Sequence, residues 1–400
     1  MKKKVKKLVP ELRFSEFEGD WKKLSIKKIA SVSSGGTPSR TEPTYWNGDI
    51  PWVTTSEIGK SEIFDSTEKI TKKGLENSSA KLFPKDTILI AMYGQGKTRG
   101  QVSVLKINAT TNQACAAILL KNNSSSKFVY YFLFNEYERL RRLSNDGSQK
   151  NLSAGLIKQY KIPLTSIEEQ EKITKFLDSV TLRISQLRRK QELLETYKKG
   201  VMQKIFSQQI RFKQDDGKPF PDWKKKKLSD IASRKVKKNL DKSITRVLTN
   251  SAVQGVVDQQ DYFDKDIANA NNLGGYYIIE KGDYVYNPRI SVSAPVEPIH
   301  KNKIGLGVMS PLYSVFRFNS EADAFFEQYF KTSFWHKYMC SVANYGARHD
   351  RMNITTSDFM ALPLPYPVLK EQEKIANFLT VIDKKIEAVG LQIEKLEEFK

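Results

Sequence analysis

The sequence predicts an α+β protein. Two mixed α/β globular domains are separated by two long helices that form an antiparallel coiled coil, arranged as a pseudo-twofold tandem repeat. Three observations predict this. The chain has 400 residues, too many for one ordinary core, and its 39% hydrophobic content is enough for two or three. Short motifs recur at a constant offset of 202 residues. Two stretches place apolar residues at alternating steps of four and three, the spacing of a helical seam.

The repeat comes first. Trp21 in Gly19-Asp20-Trp21-Lys22-Lys23 stands 202 residues before Trp223 in Pro221-Asp222-Trp223-Lys224-Lys225. Ile29-Ala30 matches Ile231-Ala232, and Asn151-Leu152-Ser153 faces Asn353-Ile354-Thr355. Glu169-Gln170-Glu171-Lys172-Ile173 recurs as Glu371-Gln372-Glu373-Lys374-Ile375, then Phe176-Leu177 as Phe378-Leu379. Between these anchors the halves differ strongly, so two similar frames hold different contents. The expected boundaries are 1–165 and 208–367 for the globular domains and 166–207 and 368–400 for the helical segments.

Within the globular segments, 87–93, 101–105, 114–120, 283–286 and 313–318 read as strands. The aromatic runs 128–132 and 325–330 open helices and belong to the core rather than to base-stacking platforms. The first long helix carries the seam Ile173, Leu177, Val180, Ile184, Leu187 and Leu194; the second carries Ile375, Leu379, Ile382, Ile386, Val389, Ile393 and Leu396. Each stripe could pack on its own domain; matched length and pattern favour pairing, antiparallel if the repeats relate by a twofold. Pro163 and Pro367 precede the helices, Glu168, Glu169 and Glu171 suit the positive end of the first helix dipole, and Glu371 and Glu373 that of the second. Gly200 weakens its stretch. Roughly 38 residues give a rod of about 57 Å.

Charge narrows the function. Lys+Arg of 66 against Asp+Glu of 45 leaves +21, which favours a polyanion: DNA, RNA or an anionic membrane surface. No apolar run approaches a bilayer span, and no apolar stretch follows the basic start 1–7, so a cytoplasmic protein is expected. Cys115 and Cys340 lie far apart, consistent with reducing surroundings.

Catalytic chemistry is not legible. Gly94-Gln95-Gly96-Lys97-Thr98 approximates a phosphate loop, but Ala91 stands where the pattern needs glycine, and 101–105 reads as a strand where a helix should follow. His300, His336 and His349 have no partner at zinc-ligand spacing. No Pro-Pro dipeptide is present to build an adenine-methyltransferase loop; Asn287-Pro288-Arg289 is the nearest approach. No catalytic residue and no metal site is expected.

Gly35-Gly36-Thr37-Pro38-Ser39-Arg40, followed by 45–53 (Tyr-Trp-Asn-Gly-Asp-Ile-Pro-Trp-Val), resembles the opening of Type I restriction-modification specificity subunits. So do Asn112-Gln113-Ala114 and the repeated Glu-Gln-Glu-Lys-Ile helix starts. Gly255-Val256-Val257 and Gly282-Asp283-Tyr284-Val285-Tyr286-Asn287-Pro288 look like another branch of that family. The resemblance implies two target recognition domains, each reading one half of a split double-stranded DNA site, with the helices as a ruler. It implies two methyltransferase subunits and up to two restriction subunits as partners. S-adenosylmethionine, ATP and Mg would reside on those partners and none on this chain. An asymmetric bipartite target follows, with a span capped at about 57 Å, roughly 17 base pairs. Candidate DNA contacts are Lys97, Arg99, Asn112, Gln113, Gln149 and Lys150 in the first domain, and Asn250, Arg289, Arg348, His349 and Arg351 in the second. The lysine clusters 224–227 and 235–238 suit phosphate contact or a solvated face. The alternative is a stand-alone architectural DNA binder with a coiled-coil spacer.

Overall fold

The computed structural model describes residues 8–94, 97–121, 124–143, 151–262, 270–289, 296–320, 323–344 and 351–399. The chain divides into two compact units, 1–183 and 184–399, and the division falls inside one continuous helix, Ile167–Phe206.

The first unit is built on a five-stranded sheet, ordered Ala30–Ser34, Cys115–Leu120, Ile88–Ala91, Val102–Leu105 and Glu62–Ile63. The strand run Ile-Leu-Ile-Ala is apolar throughout because both sheet faces are covered. Ile88 and Ile90 join the core formed with Phe128, Val129 and Leu133 of the helix Ser126–Asn135, while Leu89 and Ala91 face a second cluster with Val53, Ile63 and Phe83. Alternate side chains point to opposite faces, so neither face can be polar here. A three-stranded sheet, Glu68–Ile70, Trp46–Val53 and Thr110–Thr111, completes the unit.

The second unit repeats the plan with a four-stranded sheet, Ala232–Arg234, Ser314–Phe318, Tyr284–Tyr286 and Ile299–Lys301. Tyr284 and Tyr286 enter an aromatic core with Phe316, Phe325 and Phe330, and Val285 faces a smaller cluster with Leu248 and Val315. The aromatic helix starts are therefore core, as their spacing indicates.

The repeated motifs have structural causes. Strand Lys22–Ser25 pairs antiparallel with Lys161–Leu164, and Lys224–Lys227 with Pro363–Tyr366, in equivalent register (Lys22 opposite Leu164, Lys224 opposite Tyr366). Ser153 caps helix Ala154–Gln159 by accepting from Leu156 N–H, and Thr355 caps Thr356–Met360 by accepting from Asp358 N–H. Gln170 and Gln372 each donate to the carbonyl five residues earlier, Thr165 and Pro367.

The long helices run Ile167–Phe206, 40 residues, and Leu369–Phe399, 31 residues. Within the second unit they pair antiparallel: Arg188 meets Glu397, Gln191 approaches Gly390, and Lys198 meets Asp383. Ile184, Leu187, Val389 and Ile393 are buried in this stretch, and Leu194 and Leu396 are half-buried; Val180 is also buried. The remaining seam residues behave differently from the expectation. Ile375, Leu379 and Ile382 are part of the second unit's aromatic core, Ile386 packs on it, and Ile173 packs on the first unit's core. Leu177 is half-buried. An apolar stripe requires only an apolar partner, and near its own domain each helix finds one there. Gly200 does not break the first helix, because Met202, Ile205 and Phe206 just beyond it are anchored in the second unit's core.

Candidate nucleic-acid interface

In the first unit Lys97, Arg99, Asn112 and Gln113 gather at one end of the central sheet. Strand Ile88–Ala91 ends at Met92, whose N–H donates to Ala114 O and whose carbonyl accepts from Leu152 N–H. Gly100 N–H returns to Ala91 O. Three segments thus converge on one strand end: the turn carrying Lys97 and Arg99, the turn of Asn112 and Gln113, and the chain re-entering at Asn151. The phosphate-loop-like segment is a connection between antiparallel strands, Ile88–Ala91 and Val102–Leu105, with no helix after it.

Lys97 is exposed, and its carbonyl accepts from Tyr137 Oη. Arg99 donates to Arg141 O at 3.2 Å, while its buried Nε has no hydrogen-bond partner among the described residues. Helix Tyr137–Arg142 beside this turn adds Arg139, Arg141 and Arg142, cations that the sequence reading passed over. They were legible as a basic run following an aromatic helix. Asn112 serves its own turn: its Oδ1 accepts from Ala114 N–H and Cys115 Sγ. Gln113 is exposed and accepts from Thr37 Oγ1, which ties it to the Gly-Gly loop. That loop packs closely. A Cβ on Gly35 would lie 2.0 Å from Thr111 O, so only glycine fits, and Trp52 Nε1 donates to Gly36 O at 2.9 Å. Arg40 stacks 3.7 Å from the Trp46 ring centroid and pairs with Glu68. Gln149 and Lys150 lie outside the described residues.

The second unit places Arg289 and Arg351 equivalently. Strand Tyr284–Tyr286 leads to Pro288, whose carbonyl accepts from Met352 N–H at 2.8 Å, and Arg289 bridges to Arg351. Arg289 is exposed and Arg351 half-buried. Arg348 and His349 lie outside the described residues. Asn250 is a correction. It is 4% exposed, and its Nδ2 donates to Val285 O and Pro298 O. Its Oδ1 therefore accepts from His300 Nδ1 at 2.8 Å. All of these groups are used inside the fold, so no amide edge is left for a base. Burial, reinforced by Lys331, pushes the His300 imidazole down to about 4, so it is neutral at pH 7.

The lysine cluster Lys224–Lys227 forms the edge strand beside Pro363–Tyr366, with Lys226 Nζ 4.0 Å from the Tyr366 ring centroid. Among the described residues, no group of three or more His, Cys, Asp or Glu is placed to hold a metal ion, and no helix is long and apolar enough to cross a membrane.

Residues 18–195 and 221–398 each match the family model for the Type I restriction modification DNA specificity domain. The chain is 31% identical over 225 residues to the Type I restriction enzyme MjaIX specificity subunit of Methanocaldococcus jannaschii, covering 53% of this chain and 51% of that protein. It is 31% identical over 171 residues to the EcoR124I/EcoR124II specificity subunit of Escherichia coli, covering 42% of each. In these two alignments the chain spans about half or less of the relative's length. A 25% match to the putative MjaX specificity subunit of M. jannaschii covers 96% of this chain and 92% of that protein. The fold is similar to the crystal structure of an S subunit of a Type-I restriction-modification system from M. genitalium, with a TM-score of 0.55 at 15% identity over 98% of this chain and 96% of that one.

Proposed function

The chain belongs to the Type I restriction modification DNA specificity family, and on that premise we propose that it is the DNA-reading, non-catalytic subunit of a Type I restriction-modification complex. The observation that carries this reading is the equivalence of the two candidate surfaces. In each unit, exposed or half-exposed cations stand at the same end of the central strand, at Lys97 and Arg99 in one and at Arg289 and Arg351 in the other. Two equivalent surfaces with different side chains suit two different half-sites. Base edges are read by such groups in the major groove, while the wider excess of +21 holds phosphates.

The partners are two methyltransferase subunits and up to two restriction subunits. They bring S-adenosylmethionine, ATP and Mg, and they methylate adenine or cleave. The paired helices offer docking area: Leu193 and Tyr197 on the first and Val381 and Leu391 on the second are more than half exposed, unusual for large apolar side chains at a finished surface. The complex works in the cytoplasm, where the DNA is.

The test is reconstitution. Co-purified with the methyltransferase subunit of its source and supplied with S-adenosylmethionine, the chain directs methylation to one bipartite motif in random DNA. Binding of any duplex with equal affinity, without a partner and without methylation, would move the assignment to an architectural binder.

A further inference from the structure

Arg13 grips Glu169 with two hydrogen bonds, Nε to Oε1 at 2.7 Å and Nη2 to Oε2 at 2.8 Å. Trp21 Nε1 donates to the same carboxylate at 3.3 Å, and Thr165 Oγ1 donates to it as well. Arg13 also donates to the carbonyls of Glu18 and Gly19. In the other repeat Arg211 Nε and Nη2 donate to Glu371 at 3.2 and 2.9 Å, and Trp223 Nε1 donates at 2.9 Å. Arg211 again takes two backbone carbonyls, Phe220 and Pro221. Glu169 is 1% exposed and Glu371 0%.

The two sites are the same device reached by different routes. The glutamates and tryptophans keep the 202-residue offset, but Arg13 and Arg211 are 198 apart. The segments between arginine and tryptophan differ in length and composition, yet they converge on one geometry. A reinforcing contact recurs two helical turns further along, Phe14 against Phe176 and Phe212 against Phe378. Lys172 pairs with Glu16 and Lys374 with Asp215 in between. Each entering segment is therefore strapped along the first two turns of the long helix that ends its own repeat. The same helix leaves directly from a strand paired to the residues after the tryptophan. The start of the helix is held from two sides.

We propose that Arg13–Glu169–Trp21 and Arg211–Glu371–Trp223 are positioning locks that set the angle between each recognition domain and its long helix, and so the spacer length the complex accepts. This rests on the specificity-subunit reading above. Buried ion pairs are a weak source of stability compared with apolar packing, while bidentate arginine–carboxylate geometry is strongly directional. The lever is long: an error of about 5° at the base moves the tip of a helix of about 60 Å by about 5 Å, more than one base-pair step of about 3.4 Å.

The experiment uses the reconstituted complex and a DNA library in which the gap between half-sites varies by one or two base pairs either way. Unaltered complex should methylate one gap length at least about 100-fold better than its neighbours. Arg211→Met and Arg13→Met should each shrink that preference to about tenfold or less while both half-sites stay the same. Arg211→Lys, which keeps the charge and loses the fork, should also broaden it. Trp223→Phe keeps an aromatic ring against Phe325, although a smaller one, and removes one donor, so it should fold even if the arginine variants do not; it should broaden the preference at least threefold. Val315→Ala, in a core away from both locks, should lower stability and leave the preference intact. Folded lock variants that keep the parental gap preference, or a Val315→Ala complex that loses it equally, would overturn the proposal. If the unaltered complex methylates no bipartite site at all, the specificity reading itself fails, and the lock's role with it.

Discussion

His300 is held neutral inside the second unit, its Nδ1 donating to a buried asparagine. An unfolded histidine binds its proton near pH 6.5 and this one only near 4, so the unfolded state binds more protons in that window. Stability conferred above pH 6.5 is lost as pH falls toward 4. Between pH 7.5 and pH 5 the loss is about 2 kcal/mol, and His300→Gln should remove that share of the slope. Urea midpoints at the two pH values check it; an unchanged slope contradicts it. At the candidate surface, Arg289→Ala should cost about 1–3 kcal/mol and relax one base position in one half-site, and Lys97→Ala should do the same in the other. Binding titrations on matched and mismatched duplexes check both. At this scale little of the site was legible. Asn112 and Asn250 have the same amide that a base reader needs; Asn112 closes its own turn, a local role already open to it in the sequence, whereas only the tertiary structure reveals that Asn250 bonds two buried carbonyls.

The long helices show what periodicity can and cannot tell. Their existence and antiparallel pairing follow from stripes of matched pattern. Which residues form the seam does not, because the stripe of the second helix is shared between the first helix and an aromatic core. The polar contacts between the helices were less visible still. Asp383 accepts from Lys198, from Gln328 Nε2 at 2.9 Å and from Lys331 Nζ at 3.1 Å. These cations and the amide hold its carboxyl below the usual range although burial works to raise it. Lys198 is only 8% exposed, so Asp383→Ala leaves a nearly buried cation without its main partner. The expected cost is about 2 kcal/mol, less than for a fully buried pair because Asp383 keeps about a third of its surface in water. Replacing both as Lys198→Met with Asp383→Leu should recover only part of that cost, because the buried Gln328 amide and Lys331 lose the same carboxylate. Denaturant unfolding of the singles and the double gives the cycle; strict additivity contradicts the account.

The whole molecule was the most legible scale, because duplication leaves a constant offset that no local propensity imitates. The identity Glu-Gln-Glu-Lys-Ile recurs because four of its residues have structural work: glutamate in the lock, glutamine on the preceding carbonyl, lysine on the strap and isoleucine in the core. The arginines of the lock escaped notice since they break the offset by four residues. Two equivalent frames with separate contents also predict modularity: replacing 228–362, which leaves Arg211, Trp223 and Glu371 of the lock in place, with the corresponding segment of a relative should change one half-site and leave the other and the gap intact, read by sequencing methylated DNA. The most direct test of the central claim is a genome-wide adenine methylation map of the source cell with and without this gene. The account predicts that deletion erases one asymmetric bipartite motif and nothing else. An unchanged map, in cells that express the chain and its methyltransferase, would contradict it.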